Sequence, residues 1–201
     1  KDRVNLAKRE VDTIEYLLKE FLNFHLNTGM TILDLGSGDK FLKEEFIKRG
    51  IKYEDHDIDD IDFETEKFKF EDNKFDLIIS LAVIEHLKDP SIFLQECWRV
   101  AKKESSIFFS TPNWKYCKDI FWDDYTHVKP YTPKSLEKLL LYNGYRDIKI
   151  LPNLRCKSRW WYEGKFKFQK AYYLLPFSGE SKFIPNFLKG KSKGIFAIAR
   201  K

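Results

Sequence analysis

The residues best suited to chemistry stand in three groups. The first is Thr31-Ile-Leu-Asp-Leu-Gly-Ser-Gly-Asp-Lys40, an apolar run that ends in Asp34 and Leu35 and then carries two glycines one residue apart. Glycine has no Cβ, so Gly36 and Gly38, with Ser37 between them, let the backbone turn sharply and lie against a ligand, while the next helix presents unpaired N–H groups. A socket of this kind is nucleotide-sized. Asp57, closing Tyr53-Glu-Asp-His-Asp57, adds an acid able to take both hydroxyls of a ribose. The second group is Leu81-Ala-Val-Ile-Glu-His-Leu87, which sets Glu85 beside His86. The third is Trp122-Asp-Asp-Tyr-Thr-His-Val-Lys-Pro-Tyr131. Histidine titrates near neutral pH, so His127, oriented by Asp123 or Asp124, has the makings of a general base.

These groups need elements to position them. Residues 4 to 27 read as an amphipathic helix, with Val11, Ile14, Leu17, Leu18, Phe21 and Leu22 at the three-and-four spacing of a buried stripe. Strand and helix then alternate: strand 31–35, helix 40–49, strand 51–57, strand 75–80, helix 91–102, strand 106–111. Such alternation predicts an α/β fold of parallel strands joined by crossover helices. Asp89-Pro90 and Thr132-Pro133 mark helix starts with a capping side chain and a proline suited to the first turn. The second of these helices stops at Asn143-Gly144, and strands follow at 145–151 and 194–200.

A chain of 201 residues, 43% apolar and 16% aromatic, fits one domain with a substantial core. Its parts read as an N-terminal capping helix (1–28), a ligand-binding core (29–151), a basic and aromatic insert (152–193) and a last strand (194–201). The net charge of +5 is uneven. From Arg155 to Lys193 ten Lys or Arg face only Glu163 and Glu180, net +8, so the rest of the chain sums to −3. Such a segment attracts phosphate, anionic lipid head groups or nucleic acid unless it is simply a solvated surface. Cys97, Cys117 and Cys156 lack the spacing of a disulfide framework or a zinc site. No run approaches the roughly 18 apolar residues of a membrane span, and the charged start lacks a signal peptide's apolar segment. The expectation is a cytoplasmic protein with peripheral contact to the inner membrane face.

Taken with Phe70-Glu-Asp-Asn-Lys-Phe-Asp-Leu-Ile-Ile-Ser80, Glu96-Cys-Trp-Arg-Val100 and Phe108-Phe-Ser-Thr-Pro-Asn113, the motifs resemble the class I S-adenosylmethionine-dependent methyltransferases, within the broad type 11/23 grouping. The resemblance covers about residues 30 to 150, with 194–201 as the usual last strand. It implies a Rossmann-like, mostly parallel seven-stranded sheet with an antiparallel final strand, and S-adenosyl-L-methionine over the strands' carboxyl ends. Residue by residue, it implies Asp34, Gly36, Ser37 and Gly38 beside the methionine part, Asp57 on the ribose and Ile58 under the adenine. Asp62, followed by Phe63, would hold the adenine amino group, and Leu81, Ala82 and His86 would wall the sulfonium. The chain departs from the pattern between Asp57 and Phe75, where the usual helix is missing or reduced to a turn. The segment 101–106 likewise replaces a common glycine pair. Some ubiquinone-type O-methyltransferases carry a further carboxylate at the place of Ala82 that helps bind a metal, so no metal is expected here. No histidine is spaced as a metal ligand; His25 reads as a packing residue and His56 has no evident role.

The implied reaction is an in-line methyl transfer to oxygen or nitrogen, in which alignment supplies much of the rate and a base is optional. His127 is the first candidate base, with Glu85 and Asp124 as weaker catalytic candidates. Trp114, Trp122, Tyr125, Tyr131, Arg159 and Trp160 are expected to meet the acceptor. The favoured acceptor is a small polar molecule, a sugar or lipid-linked glycan precursor methylated on oxygen. Two alternatives stand beside it: an RNA or protein methyltransferase using the basic segment, and a cofactor-binding protein without transfer activity. The absence of an added RNA-binding domain disfavours nucleic acid as a partner.

Overall fold

The computed structural model describes residues 2–153 and 189–201, with 175, 177, 178, 183 and 185 between them. In chain order its elements are α1 (Asp2–Leu22), β1 (Thr31–Leu35), α2 (Lys43–Lys48), β2 (Lys52–His56), β3 (Phe75–Leu81), α3 (Ser91–Val100), β4 (Ala101–Pro112), α4 (Trp114–Cys117), α5 (Pro133–Tyr142), β5 (Arg146–Pro152), β6 (Phe177–Ser178), β7 (Lys189–Lys191) and β8 (Gly194–Arg200). The main sheet runs β2-β1-β3-β4-β8-β5. Its first four strands are parallel, and β8 lies antiparallel between β4 and β5. Strands β6 and β7 form a separate small pair.

Alternation along the strands builds a core on each face. Leu33, Leu35, Ile78, Ile107, Phe109 and Ala197 join Phe93 and Leu94 of α3 and Leu136 and Leu140 of α5. Their neighbours Ile32, Leu77, Ile79, Phe108, Phe196 and Ile198 join Val11, Ile14, Leu17 and Leu18 of α1 and Phe46 of α2. Strands buried on both faces in this way read as continuous apolar runs, which is why β1 and β3 were conspicuous in the sequence. The helix α1 is further tied to α2 by Arg49, which donates to Asp12 (2.6 Å), Glu15 (2.7 Å) and Glu45 (2.7 Å).

Register does the positioning. Leu35 pairs with His56 and with Ser80, and Leu81 pairs with Ser110. The residues that follow these positions, Gly36, Asp57, Ala82 and Thr111, therefore gather at the carboxyl ends of four adjacent strands, where open α/β sheets bind ligands.

Three expectations need correction. The main sheet has six strands among the described residues, not seven, because no strand or helix forms between Asp57 and Phe75. Side chains hold that segment instead. Arg99 donates to the carbonyls of Phe68 (2.9 Å) and Phe70 (2.8 Å) and to Glu96 and Asp72 (2.6 Å each). The Phe68 N–H donates to Glu96 at 2.8 Å, and the rings of Phe63 and Phe68 pack edge-on against Phe93. Arg99→Met should lower stability by about 2 kcal/mol through the polar groups it leaves unpaired, read as a lower urea midpoint with unchanged slope.

The first helix ends at Leu22 rather than near 27. Asn23 is left-handed (φ 51°), its N–H donates to Lys19 O, and the Phe24 N–H reaches back to Leu18 O at 3.1 Å. That pattern stops a helix with asparagine in the place glycine often takes. His25 consequently lies exposed beyond the helix and is no packing residue. The 101–106 variant belongs to β4, as an irregularity in its pairing with β3 around left-handed Glu104.

Candidate active site

Gly36 (φ 72°) and Gly38 (φ 51°) both take the left-handed conformation open to glycine. A Cβ on Gly36 would collide with Val83 Cγ2, whereas one on Gly38 would meet nothing within 4 Å. The loop is pinned by the Gly36 N–H donating to His56 O (2.8 Å) and the Gly38 N–H donating to Asp57 Oδ2 (2.6 Å). Asp57 Oδ1 accepts from the Ile58 N–H at 2.7 Å. Ser37 is buried within the loop, and Ile58 is 70% exposed beside it.

Asp34 is buried and accepts the Tyr53 hydroxyl at 2.6 Å. Burial pushes its carboxyl up to about 7, against the pull of that hydrogen bond, and Asp55 and Asp57 add repulsion. Lys40, left-handed at φ 56°, pairs with Asp55 at 2.5 Å, and Phe41 holds the place where dinucleotide sites carry a third glycine. Asp62 serves its own turn: its oxygens accept from the Glu64 N–H (2.8 Å) and the Thr65 hydroxyl (2.7 Å), which holds the carboxyl below its usual range. Phe63 is a core side chain.

The turn after β3 faces the loop after β4. Leu81 is half-buried, and Ala82 is left-handed (φ 58°) with its N–H on Ser110 O. The carbonyl of Glu85 accepts from the N–H groups of Val128 (2.9 Å) and Lys129 (3.0 Å), stitching the two segments together. The Glu85 side chain is fully buried, and no donor meets either carboxylate oxygen in full hydrogen-bond geometry, although its own N–H and the Thr111 hydroxyl, itself without a well-aligned partner, stand near enough to favour its charged form. Burial pushes Glu85 up to about 7, opposed by its own backbone, Thr111 and His127.

His127 Nδ1 lies 2.7 Å from Phe121 O. A carbonyl only accepts, so Nδ1 carries the proton and the lone pair of the neutral ring is on Nε2, 3.7 Å from Asp124 Oδ2. The ring rests 4.5 Å from that of Phe121 and 4.8 Å from that of His86. His86 Nδ1 contacts the Thr126 hydroxyl (2.9 Å), which donates to Asp124 (2.5 Å). One ligand-type atom each from Glu85, His86 and His127 lies within 4.8 Å of the others, a convergence compatible with a small cation that sequence spacing did not show.

A cleft of about 480 Å³ opens here, lined by Ala82, Glu85, Thr111, Cys117, Phe121, His127, Asn153 and Ser192 among others. The aromatic residues expected to meet an acceptor do not line it. Tyr131 is buried in the core, while Trp122 is half exposed and packs edge-on against Trp114 and Phe121. Tyr125 is 93% exposed. Aromatic rings satisfy one another by edge contacts, which draws Trp114 and Trp122 to Phe121 rather than into the cleft. Arg159 and Trp160 lie outside the described residues. Thr111, Cys117, Phe121, Asn153 and Ser192 had no signal of their own in the sequence.

With this geometry in place, comparison with known proteins is decisive. Residues 7–150 match the model of a family described as a methyltransferase domain. The chain belongs to this methyltransferase family. Among curated relatives, it is 30% identical to a ubiquinone biosynthesis O-methyltransferase of Pasteurella multocida, over 43% of this chain and 48% of that one. It is 28% identical to the protein of the same name in Pseudomonas entomophila, over 42% and 45%. The chain thus spans about half the length of the curated relatives it matches. In fold it is similar to a SAM-dependent methyltransferase from Archaeoglobus fulgidus (TM-score 0.61, 23% identity, 94% of each chain). It is also similar to phosphoethanolamine N-methyltransferase 2 of Haemonchus contortus in complex with S-adenosyl-L-methionine (TM-score 0.57, 16% identity, 92% of this chain and 51% of that one).

The cofactor of this methyltransferase is S-adenosylmethionine, and the loop fits it. The open space over Gly38 is what a close backbone approach requires, and Asp57, half-buried beside it, keeps lone pairs for a ribose. Two buried acids also give the fold a pH signature. Asp34 and Glu85 hold protons to about 7 in the fold, against about 3.8 and 4.5 as free groups. Between pH 4.5 and 7 the native chain therefore binds more protons than the unfolded one, and stability falls as pH rises. The cofactor-free methyltransferase should melt at progressively lower temperature from pH 5 to 7.5, and Asp34→Asn should flatten part of that slope.

Proposed function

We propose that this methyltransferase methylates a hydroxyl oxygen of a small acceptor bound in the cleft between the turn after β3 and the loop after β4. The observation that carries the reading is His127, whose Nε2 lone pair is left free by the Nδ1 contact to Phe121 and which lines the cleft. Bound over Gly36 and Gly38, S-adenosylmethionine supplies the methyl group as a sulfonium. The chain's own residues hold the acceptor, exclude water and take its proton at His127 Nε2. The curated relatives are named as O-methyltransferases, which supports oxygen over nitrogen.

The finer reading is a sugar or lipid-linked glycan precursor as acceptor. A cleft of about 480 Å³ is within the range that takes a small molecule, and its mixed lining of Thr111, Asn153, Ser192 and Phe121 suits a ring bearing hydroxyls. The test is a transfer assay with methyl-labelled cofactor against sugar nucleotides, free glycosides and phenols. Label on a hydroxyl oxygen of any of them supports the reading, and label appearing only on nitrogen overturns it. The RNA or protein alternative, and the contact with an anionic membrane surface, both rest on the basic segment 155–193, most of which lies outside the described residues.

A further inference from the structure

The buried polar atoms at the foot of the cleft are unusual as a set. Glu85 is fully buried with no well-aligned donor on either carboxylate oxygen, and it lines the cleft together with Thr111, whose hydroxyl has no well-aligned partner either. The Tyr131 hydroxyl, also buried and unpartnered, feels the Glu85 charge. Buried polar groups are rarely left this way, because each unmet donor or acceptor costs about 1–3 kcal/mol. Two of them, Glu85 and Thr111, line one cleft and point to a ligand group that completes them.

The requirements of the set describe that group. Two groups lie close together, the Glu85 carboxylate and the His127 ring, and one ligand-type atom of each is within 4.8 Å of the other; with Nδ1 on Phe121 O, the nitrogen of the ring that can accept is Nε2. Single hydroxyls donate one proton and satisfy one of the two. A pair of hydroxyls on adjacent carbons donates to both, since hydrogen bonds of about 2.8 Å to two neighbouring oxygens bridge a gap of this size. An ammonium has protons enough but no lone pair for the Thr111 hydroxyl to donate to. Resting on the cleft being the acceptor site, we propose that Glu85, with Thr111, forms a subsite for a second, unmethylated hydroxyl of the acceptor, which is therefore a vicinal diol. His127 meets the hydroxyl that is methylated, and Glu85 receives its neighbour.

Sugar rings and catechols both carry such pairs, so the probes come from each. Binding of cis-1,2-cyclohexanediol against cyclohexanol, and of catechol against phenol, is measured by saturation-transfer NMR on the whole chain with S-adenosylhomocysteine present. The expected result is that at least one diol binds about tenfold more tightly than its single-hydroxyl partner, and which pair shows the preference names the source. Glu85→Gln keeps the shape and should bring that preference within about twofold, while Thr111→Val should weaken it less. Unchanged melting of Glu85→Gln with cofactor product bound shows that the variant is folded. Equal binding of diol and single hydroxyl by the wild type means the groups hold water only, and overturns the inference. Cyclohexylamine bound more tightly than either diol does the same, as does a stoichiometric divalent cation in the purified wild type that is lost in Glu85→Gln. No methyl transfer is needed, so a diol preference without turnover would sink the proposed function and leave the subsite standing.

Discussion

Gly36→Ala is expected to abolish S-adenosylmethionine binding and to lower stability by about 2–4 kcal/mol. The residue sits at φ 72°, and an added Cβ would overlap Val83 Cγ2, a branched side chain with no flexible end to move aside. Val83 also begins the turn that carries Glu85 and His86, so the displacement reaches the acceptor side. Gly38→Ala is the control that separates strain from collision. At φ 51° with nothing within 4 Å, it should cost about 1–2 kcal/mol in backbone strain, yet its methyl would project into the space the cofactor needs. Calorimetric titration with the cofactor and thermal melting read the two effects apart. A Gly36→Ala chain that melts and binds like the wild type would remove the loop from the cofactor site.

The loop was legible because its information is local. An apolar strand, an acid and two glycines at fixed spacing require nothing from distant residues, and β1, the turn and Asp57 stand where those residues implied. The same holds for α5, where Thr132 caps the helix by accepting from the Ser135 N–H and proline follows it. What failed was also local in cause. The helix expected over residues 4 to 27 ran past Leu22, but left-handed Asn23 had already closed it. The missing sheet strand is a different kind of failure. Nothing in 57–74 announces that Arg99, some thirty residues later, will hold the Phe68 and Phe70 carbonyls in place of a neighbouring strand.

The acceptor cleft was largely illegible because it is assembled from β4, the loop after it, and the residues flanking β5 and β8. Aromatic residues near that loop suggested a binding surface, and the structure uses them on one another. Glu85 shows the point most clearly. In sequence it is an acid beside a histidine; only the fold buries its carboxylate and brings it to one cleft with His127.

His127→Gln is expected to reduce kcat by about 100- to 10,000-fold, the range a general base contributes, while leaving cofactor affinity within about twofold. The direction follows from the ring's two nitrogens. Nδ1 is occupied by Phe121 O at 2.7 Å, so only Nε2 can take a proton, and His127 lines the cleft rather than the cofactor loop. Glutamine is the informative replacement because its amide can still donate toward Phe121 O, retaining the tie to the loop, but has no basic nitrogen. Alanine would also strip the packing on Phe121 and confuse position with proton transfer. If the ring only ties the loop down, the glutamine variant should turn over near the wild-type rate and the alanine variant should lose mainly in KM. If the ring is the base, both variants lose kcat, and the loss in the glutamine variant should shrink as pH rises and the acceptor hydroxyl ionises without help. The slope of the glutamine variant's rate against pH therefore decides between the two roles.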